Sequence, residues 1–115
     1  MDERLEKALE FSNYMTVLNS QKRIIREQYL ESCMHYLNGG KFSVTRELVN
    51  FCHMLVESGQ DDAVIIDDND TPIKVDSVKD FLNNILDIYF TSSNEYLDKY
   101  NALKINRSIE GLVDL

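Results

Sequence analysis

The chain has 115 residues, 12 basic and 20 acidic, and a net charge of −8. That length fits one domain. Phosphate backbones and anionic headgroups repel such a surface, so general binding to nucleic acid or to acidic membranes is disfavoured.

One proline and four glycines leave few breaks in the chain. The first helix is predicted from about residue 3 to Leu37. A 3-4 spacing picks out Ala8, Phe11, Met15, Leu18, Lys22, Ile25, Tyr29, Ser32 and Tyr36 as one seam. Asn38-Gly39-Gly40 is expected to end it as a C-terminal cap. Lys41–Val44 is short and β-compatible. Thr45 is placed to cap a second helix over about Arg46–Ser58, with Leu48, Phe51, Cys52 and Leu55 on its apolar face and Gly59 after it.

Ala63–Ile66 and Pro72–Val75 flank the Asx-rich run Asp67-Asp68-Asn69-Asp70 and read as a β-hairpin. Lys41–Val44 is a candidate third strand beside it. Ser77-Val78-Lys79-Asp80 resembles a capping box and opens a last helix to about Arg107. Its seam is Leu82, Leu86, Tyr89, Ser93, Tyr96, Tyr100 and Leu103.

The predicted fold is mainly α with a small β element. The first and last helices form a long antiparallel hairpin, capped by the short helix and the β-hairpin. The domain covers 1–107, with a head at about 41–75 and a tail at 108–115. Aligning the seams sets Ile25 against Tyr89, Lys22 against Ser93, Leu18 against Tyr96, Met15 against Tyr100 and Phe11 against Leu103. Lys22 and Ser93 then form one polar layer, which fixes register at a cost in stability. Val17 and Leu97 fall outside the seam and beyond reach of the head, marking an oligomer or partner surface.

Little in the sequence points to chemistry. Cys33 and His35 are two apart on a predicted helix, and Cys52 and His53 are adjacent, so neither pair converges on a metal. A calcium loop begun at Asp68 would need glycine where Ile73 stands and glutamate where Lys79 stands. No phosphate loop, zinc-protease motif or nucleophile elbow is present in the sequence. Neither catalytic residues nor a cofactor are expected. With two cysteines, no signal-peptide pattern at Met1-Asp2-Glu3-Arg4 and no run of about 20 apolar residues, the expected setting is cytoplasmic.

The tail carries Ile109, Leu112, Val113 and Leu115, set among Glu110 and Asp114. It reads either as a helix end packed on itself or as a short motif for a partner's groove. It is similar to the acidic-hydrophobic C-terminal peptides that bind sliding clamps in phage replication and late transcription.

The stretches Met1-Asp2-Glu3-Arg4-Leu5-Glu6-Lys7-Ala8-Leu9-Glu10-Phe11, Asp70-Thr71-Pro72-Ile73, Tyr96-Leu97-Asp98 and Arg107-Ser108-Ile109-Glu110 carry a resemblance. They resemble small proteins of contractile-tailed phages infecting marine cyanobacteria. The resemblance implies an infected-cell cytoplasm or a virion, and no site residues. The functional expectation is a non-enzymatic interaction protein, an accessory or assembly factor with a protein partner or a second copy of itself. The alternatives are a tail-dependent binder of a clamp or polymerase and an acidic inhibitor that mimics nucleic acid.

Overall fold

The computed structural model describes residues 2–113, with side chains described through residue 104. Its elements are α1 (Glu3–Ser32), β1 (Met34–Leu37), β2 (Gly40–Ser43), α2 (Arg46–Glu57), β3 (Ala63–Ile66), β4 (Pro72–Val75) and α3 (Val78–Val113). The class is mainly α with a small β element, as expected. Two compact units contain these elements. One is formed by the described residues up to Gln28 and from Glu95 onward, the other by Tyr29–Asn94.

The Tyr29–Asn94 unit holds nearly all of the core. Cys33, Phe42, Val44, Cys52, Ile65, Ile73, Val75, Val78, Phe81, Leu82 and Ile85 form one buried cluster. The edge of the Phe81 ring meets Phe42 at 5.1 Å and His35 at 5.3 Å between centroids. Two antiparallel strand pairs feed this cluster, β1 with β2 and β3 with β4. Alternation does the sorting: Ile65, Ile73 and Val75 point inward while Val64, Ile66 and Lys74 point out.

The first helix ends five residues earlier than expected. Met34–Leu37 is a strand that pairs with β2 in the register Met34–Ser43 to Leu37–Gly40. Asn38 and Gly39 have φ of +50° and +80°. Two successive left-handed residues make a two-residue hairpin turn, which Asn-Gly favours as strongly as any dipeptide. The same letters suit a helix C-cap, which is how they read in sequence. Gly40 is needed for a second reason. A Cβ there would stand 2.6 Å from Cγ1 of Ile73, so only glycine lets the two hairpins approach. The candidate strand at Lys41–Val44 therefore forms as β2, but its ladder partner is β1.

The other local signals hold. Thr45 Oγ1 accepts from the Leu48 amide at 3.1 Å and caps α2. Ser77 Oγ accepts from the Asp80 amide at 3.2 Å at the start of α3. Pro72 opens β4, where it occupies the first position of the strand.

The other unit pairs the first part of α1 with the later part of α3. Gln28 Oε1 accepts from Lys99 Nζ at 3.0 Å, Lys22 Nζ lies 6.0 Å from the Tyr100 ring centroid, and Leu18 and Leu103 line one small cavity. As α1 ascends, α3 descends, so the segments are antiparallel. The register differs from the expected one by a full heptad. Tyr100 was expected opposite Met15 and meets Lys22; Leu103 was expected opposite Phe11 and meets Leu18.

A seven-residue slip keeps most apolar positions against apolar ones and sets Lys22 against Tyr100, so only the polar positions of the seam distinguish the two alignments. The shift has a source in α3. Val78, Phe81, Leu82 and Ile85 are all committed to the core of the Tyr29–Asn94 unit. Those first turns of α3 are therefore not free to act as the opening of the seam.

Candidate functional site

Lys22 and Ser93, expected as one polar layer, fall in different compact units. Lys22 is half-buried, and its ammonium lies against the Tyr100 face at cation–π range. Ser93 donates its hydroxyl to the Tyr89 carbonyl one turn back in its own helix. Val17 and Leu97 are each 55% exposed, where an oligomer surface was expected. Ile109, Leu112 and Val113 lie on α3, which continues past Arg107 to Val113, but their side chains are outside the described residues. Leu115 lies wholly outside them.

The acidic run at the β3–β4 turn proves to be a structural staple. Asp67 Oδ1 accepts from the Asn69 amide at 2.9 Å and the Thr71 amide at 2.8 Å, closing the loop. Its Oδ2 accepts from the Lys41 amide of β2 at 3.0 Å. Asp68 takes the Ser43 amide on Oδ1 at 3.0 Å and the Ser43 hydroxyl on Oδ2 at 2.6 Å, while its own amide donates to the Lys41 carbonyl at 2.9 Å. The two carboxylates therefore serve the outer edge of β2 as a partner strand would. These backbone donors, Lys41 first, hold the Asp67 carboxyl below its ordinary value. Nearby, Lys74 Nζ donates to Asp62 Oδ2 at 2.6 Å and likewise depresses the Asp62 carboxyl.

Burial holds two nucleophile-type side chains of this unit in their protonated forms. Burial pushes the Cys52 thiol up to about 11. Burial first, then the neighbouring Cys33, pushes the Tyr29 hydroxyl up to about 12. Tyr29 and Cys33 line a cavity of about 570 Å³ with Val44, Arg46 and Tyr89. Among the described residues no three His, Cys, Asp or Glu side chains gather as a metal site would. Among the same residues no helix is long and apolar enough to cross a membrane.

His35 is a half-buried group with a consequence of its own. On β1 it faces Phe42 and packs on Phe81, and its Nε2 is buried without a hydrogen-bond partner. Burial lowers its pKa from the ordinary value of 6.5. A depressed folded value means that the unfolded chain takes the proton first. Stability is then full above about 6.5 and falls as pH drops from there through the folded value. Thermal melts between pH 7.5 and pH 5 are expected to show this loss, and His35→Phe to remove it. A His35→Phe protein with an unchanged slope over that range would refute the assignment.

What the surface offers instead is apolar area. Fourteen large apolar side chains are at least two-fifths exposed among the described residues, against twelve apolar residues in the buried core. One group lies in the Tyr29–Asn94 unit, where Phe51, Val64 and Ile66 line a groove of about 430 Å³ with Leu48 and Phe42, and Asp68 and Ser43 are at its margin. The sequence hinted at this group. Ala63-Val64-Ile65-Ile66 is apolar throughout, yet a strand with one buried face hides only every second residue. A second group lies on the paired helices: Leu5, Leu9, Phe11, Val17, Ile24, Leu97 and Tyr100. No family model, no curated protein and no solved structure matches the chain.

Proposed function

We propose that this is a non-enzymatic interaction protein, an accessory or assembly factor that acts by covering its exposed apolar surface with protein. One observation carries the reading: among the described residues, fourteen large apolar side chains stay at least two-fifths exposed, a number comparable to the twelve apolar residues that are buried. Isolated exposed leucines are ordinary, but clusters on two separate units are the usual mark of interaction surfaces. The raised thiol and phenol values support it, since an activated nucleophile needs the opposite shift. The resemblance to small cyanobacterial phage proteins supports an infected-cell cytoplasm or a virion as the setting.

Charge narrows which unit meets what. Residues 29–94 hold eleven acidic and four basic side chains, net −7 of the chain's −8, and the rest holds nine acidic and eight basic, net −1. An acidic unit favours a basic partner, and a near-neutral one tolerates a copy of itself. The test is affinity capture of tagged protein from infected cells, paired with sedimentation of the pure protein. A specific stoichiometric partner or a defined oligomer is expected. A monomer that recovers nothing above background overturns the reading.

A further inference from the structure

We propose that the free edge of β3 takes up an extended, basic-flanked segment of a partner protein as an added strand. This rests on the interaction reading above and names where the partner sits. The groove of about 430 Å³ is lined by Val64, Ile65 and Ile66 in succession, together with Leu48 and Phe51 of α2. Consecutive strand residues point to opposite faces, so three in a row meet one cavity only where it runs along the strand's edge. β4 occupies the other edge. The groove therefore follows the unpaired one.

The hydrogen-bonding phase of the hairpin agrees. The Asp67 amide donates to the Thr71 carbonyl at 2.9 Å, so Ile65–Ile73 and Ala63–Val75 are the bonded pairs of this antiparallel ladder. Val64 and Ile66 then turn their amides and carbonyls outward. Pro72 stands opposite Ile66, where no inward donor is needed. Asp68 is next on the same edge, and its amide donates to the Lys41 carbonyl of β2 at 2.9 Å. A strand thus already uses this edge at Asp68. At Ile66 and Val64 no protein group takes over among the described residues. Two donors and two acceptors remain at strand spacing, beside Phe42, Leu48 and Phe51, which can receive the alternate side chains of an added strand.

Charge selects the occupant. Asp61 and Asp62 precede the apolar run of β3, and Asp67, Asp68 and Asp70 follow it. Asp67 and Asp68 are held by amides and a hydroxyl, none of which cancels their charge. A second copy added antiparallel, with Val64 opposite Ile66, would set Asp62 against Asp68 at both ends, and like charges directly opposite are destabilising. The edge is thus protected against its own kind. A strand with alternate apolar residues and Lys or Arg at both ends meets the groove with the apolar part and both acidic ends with the cations.

The experiment selects peptides from a random twelve-residue display library against the full chain, then measures the strongest as a synthetic peptide by fluorescence anisotropy. Alternating apolar sequences with Lys or Arg at both ends are expected, with binding weakened by salt. Val64→Pro removes one outward donor and leaves the β3–β4 bonds in place, as Pro72 does in β4, and is expected to weaken binding roughly tenfold or more with the melting curve little changed. N-methylation of the peptide's edge-facing amides should weaken it as much, with the protein untouched. No enrichment, enrichment of acidic peptides, or binding indifferent to both Val64→Pro and N-methylation overturns the proposal. So does a dimer of the pure chain that Val64→Pro dissolves, since a second copy would then hold the edge. A partner captured from infected cells equally well by wild type and Val64→Pro overturns this proposal alone and leaves the wider reading standing.

Discussion

Phe81→Ala is expected to destabilise the protein by about 3–5 kcal/mol, the range for a phenylalanine removed from a closed core. Phe81 is 2% exposed, and its ring meets Phe42 and His35 edge-on. The first turns of α3 bring it into the Tyr29–Asn94 core, in one buried cluster with residues of both strand pairs and of α2. A cavity there opens the centre of that shared cluster. With total stabilities commonly 5–15 kcal/mol, the loss is a large share of the whole. Urea unfolding should report it as a lower midpoint with little change in slope. Phe81→Leu, which keeps most of the volume, should cost far less. A loss under about 1 kcal/mol for Phe81→Ala would mean that the site can collapse, contrary to a close-packed core around this ring.

The same cluster explains what could be read from the sequence and what could not. Thr45, Ser77 and Pro72 announce α2, α3 and β4 because caps and strand starts are local chemistry. Asn38-Gly39 is local too, but it answers two questions at once, helix cap or hairpin turn. What decides between them is distant. The Val44 amide donates to the Cys33 carbonyl at 2.9 Å, and Cys33, Phe42 and Val44 are buried with Val78 and Phe81. Helical seam spacing at Ser32 and Tyr36 could not reveal that. The slipped register has the same origin. Seven-residue repeats match at several offsets, and the choice among them depends on how many turns of α3 another core has claimed.

The surface follows this pattern. Val17 and Leu97 were legible as apolar residues without cover, because heptad positions are arithmetic. Phe51, Val64 and Ile66 were not legible as one group, since they meet only when α2 and β3 are set side by side. The acidic run was legible as a turn but not as a staple. Its partners, Lys41 and Ser43, lie some 25 residues earlier in the chain, and nothing local pairs them with it.

Asp67→Ala is expected to cause the largest loss of stability of any change at an acidic residue in the chain. The carboxylate is 6% exposed, and it satisfies three amides, those of Lys41, Asn69 and Thr71. Truncation leaves these donors without their acceptor in a nearly closed site, which costs more than losing a surface contact. It also removes one of two carboxylates that tie the β1–β2 pair to the β3–β4 turn, so both hairpins should loosen together. Hydrogen exchange should show faster amides at Lys41, Asn69 and Thr71. Asp67→Asn keeps one carbonyl oxygen for the loop but turns an N–H toward the Lys41 donor, so it should fall between wild type and Asp67→Ala.

The pH dependence has a definite sign. Backbone hydrogen bonds depress the folded pKa of Asp67 below its ordinary value of 3.8. The stabilisation is therefore fully present above about 4 and is lost as pH falls through the folded value. Asp62, depressed by Lys74, loses its share in the same window, so Asp67→Asn should flatten the acid limb only in part. His35 acts earlier, below about 6.5, because its own folded value is lowered from there. Two separate losses are thus expected on acidification, the upper one removed by His35→Phe and the lower one reduced by Asp67→Asn. An acid limb below pH 4 that is identical in wild type and Asp67→Asn would show that the carboxylate is not charged against these amides in the folded state. The hold on β2 would then rest on Asp68, which accepts from Ser43.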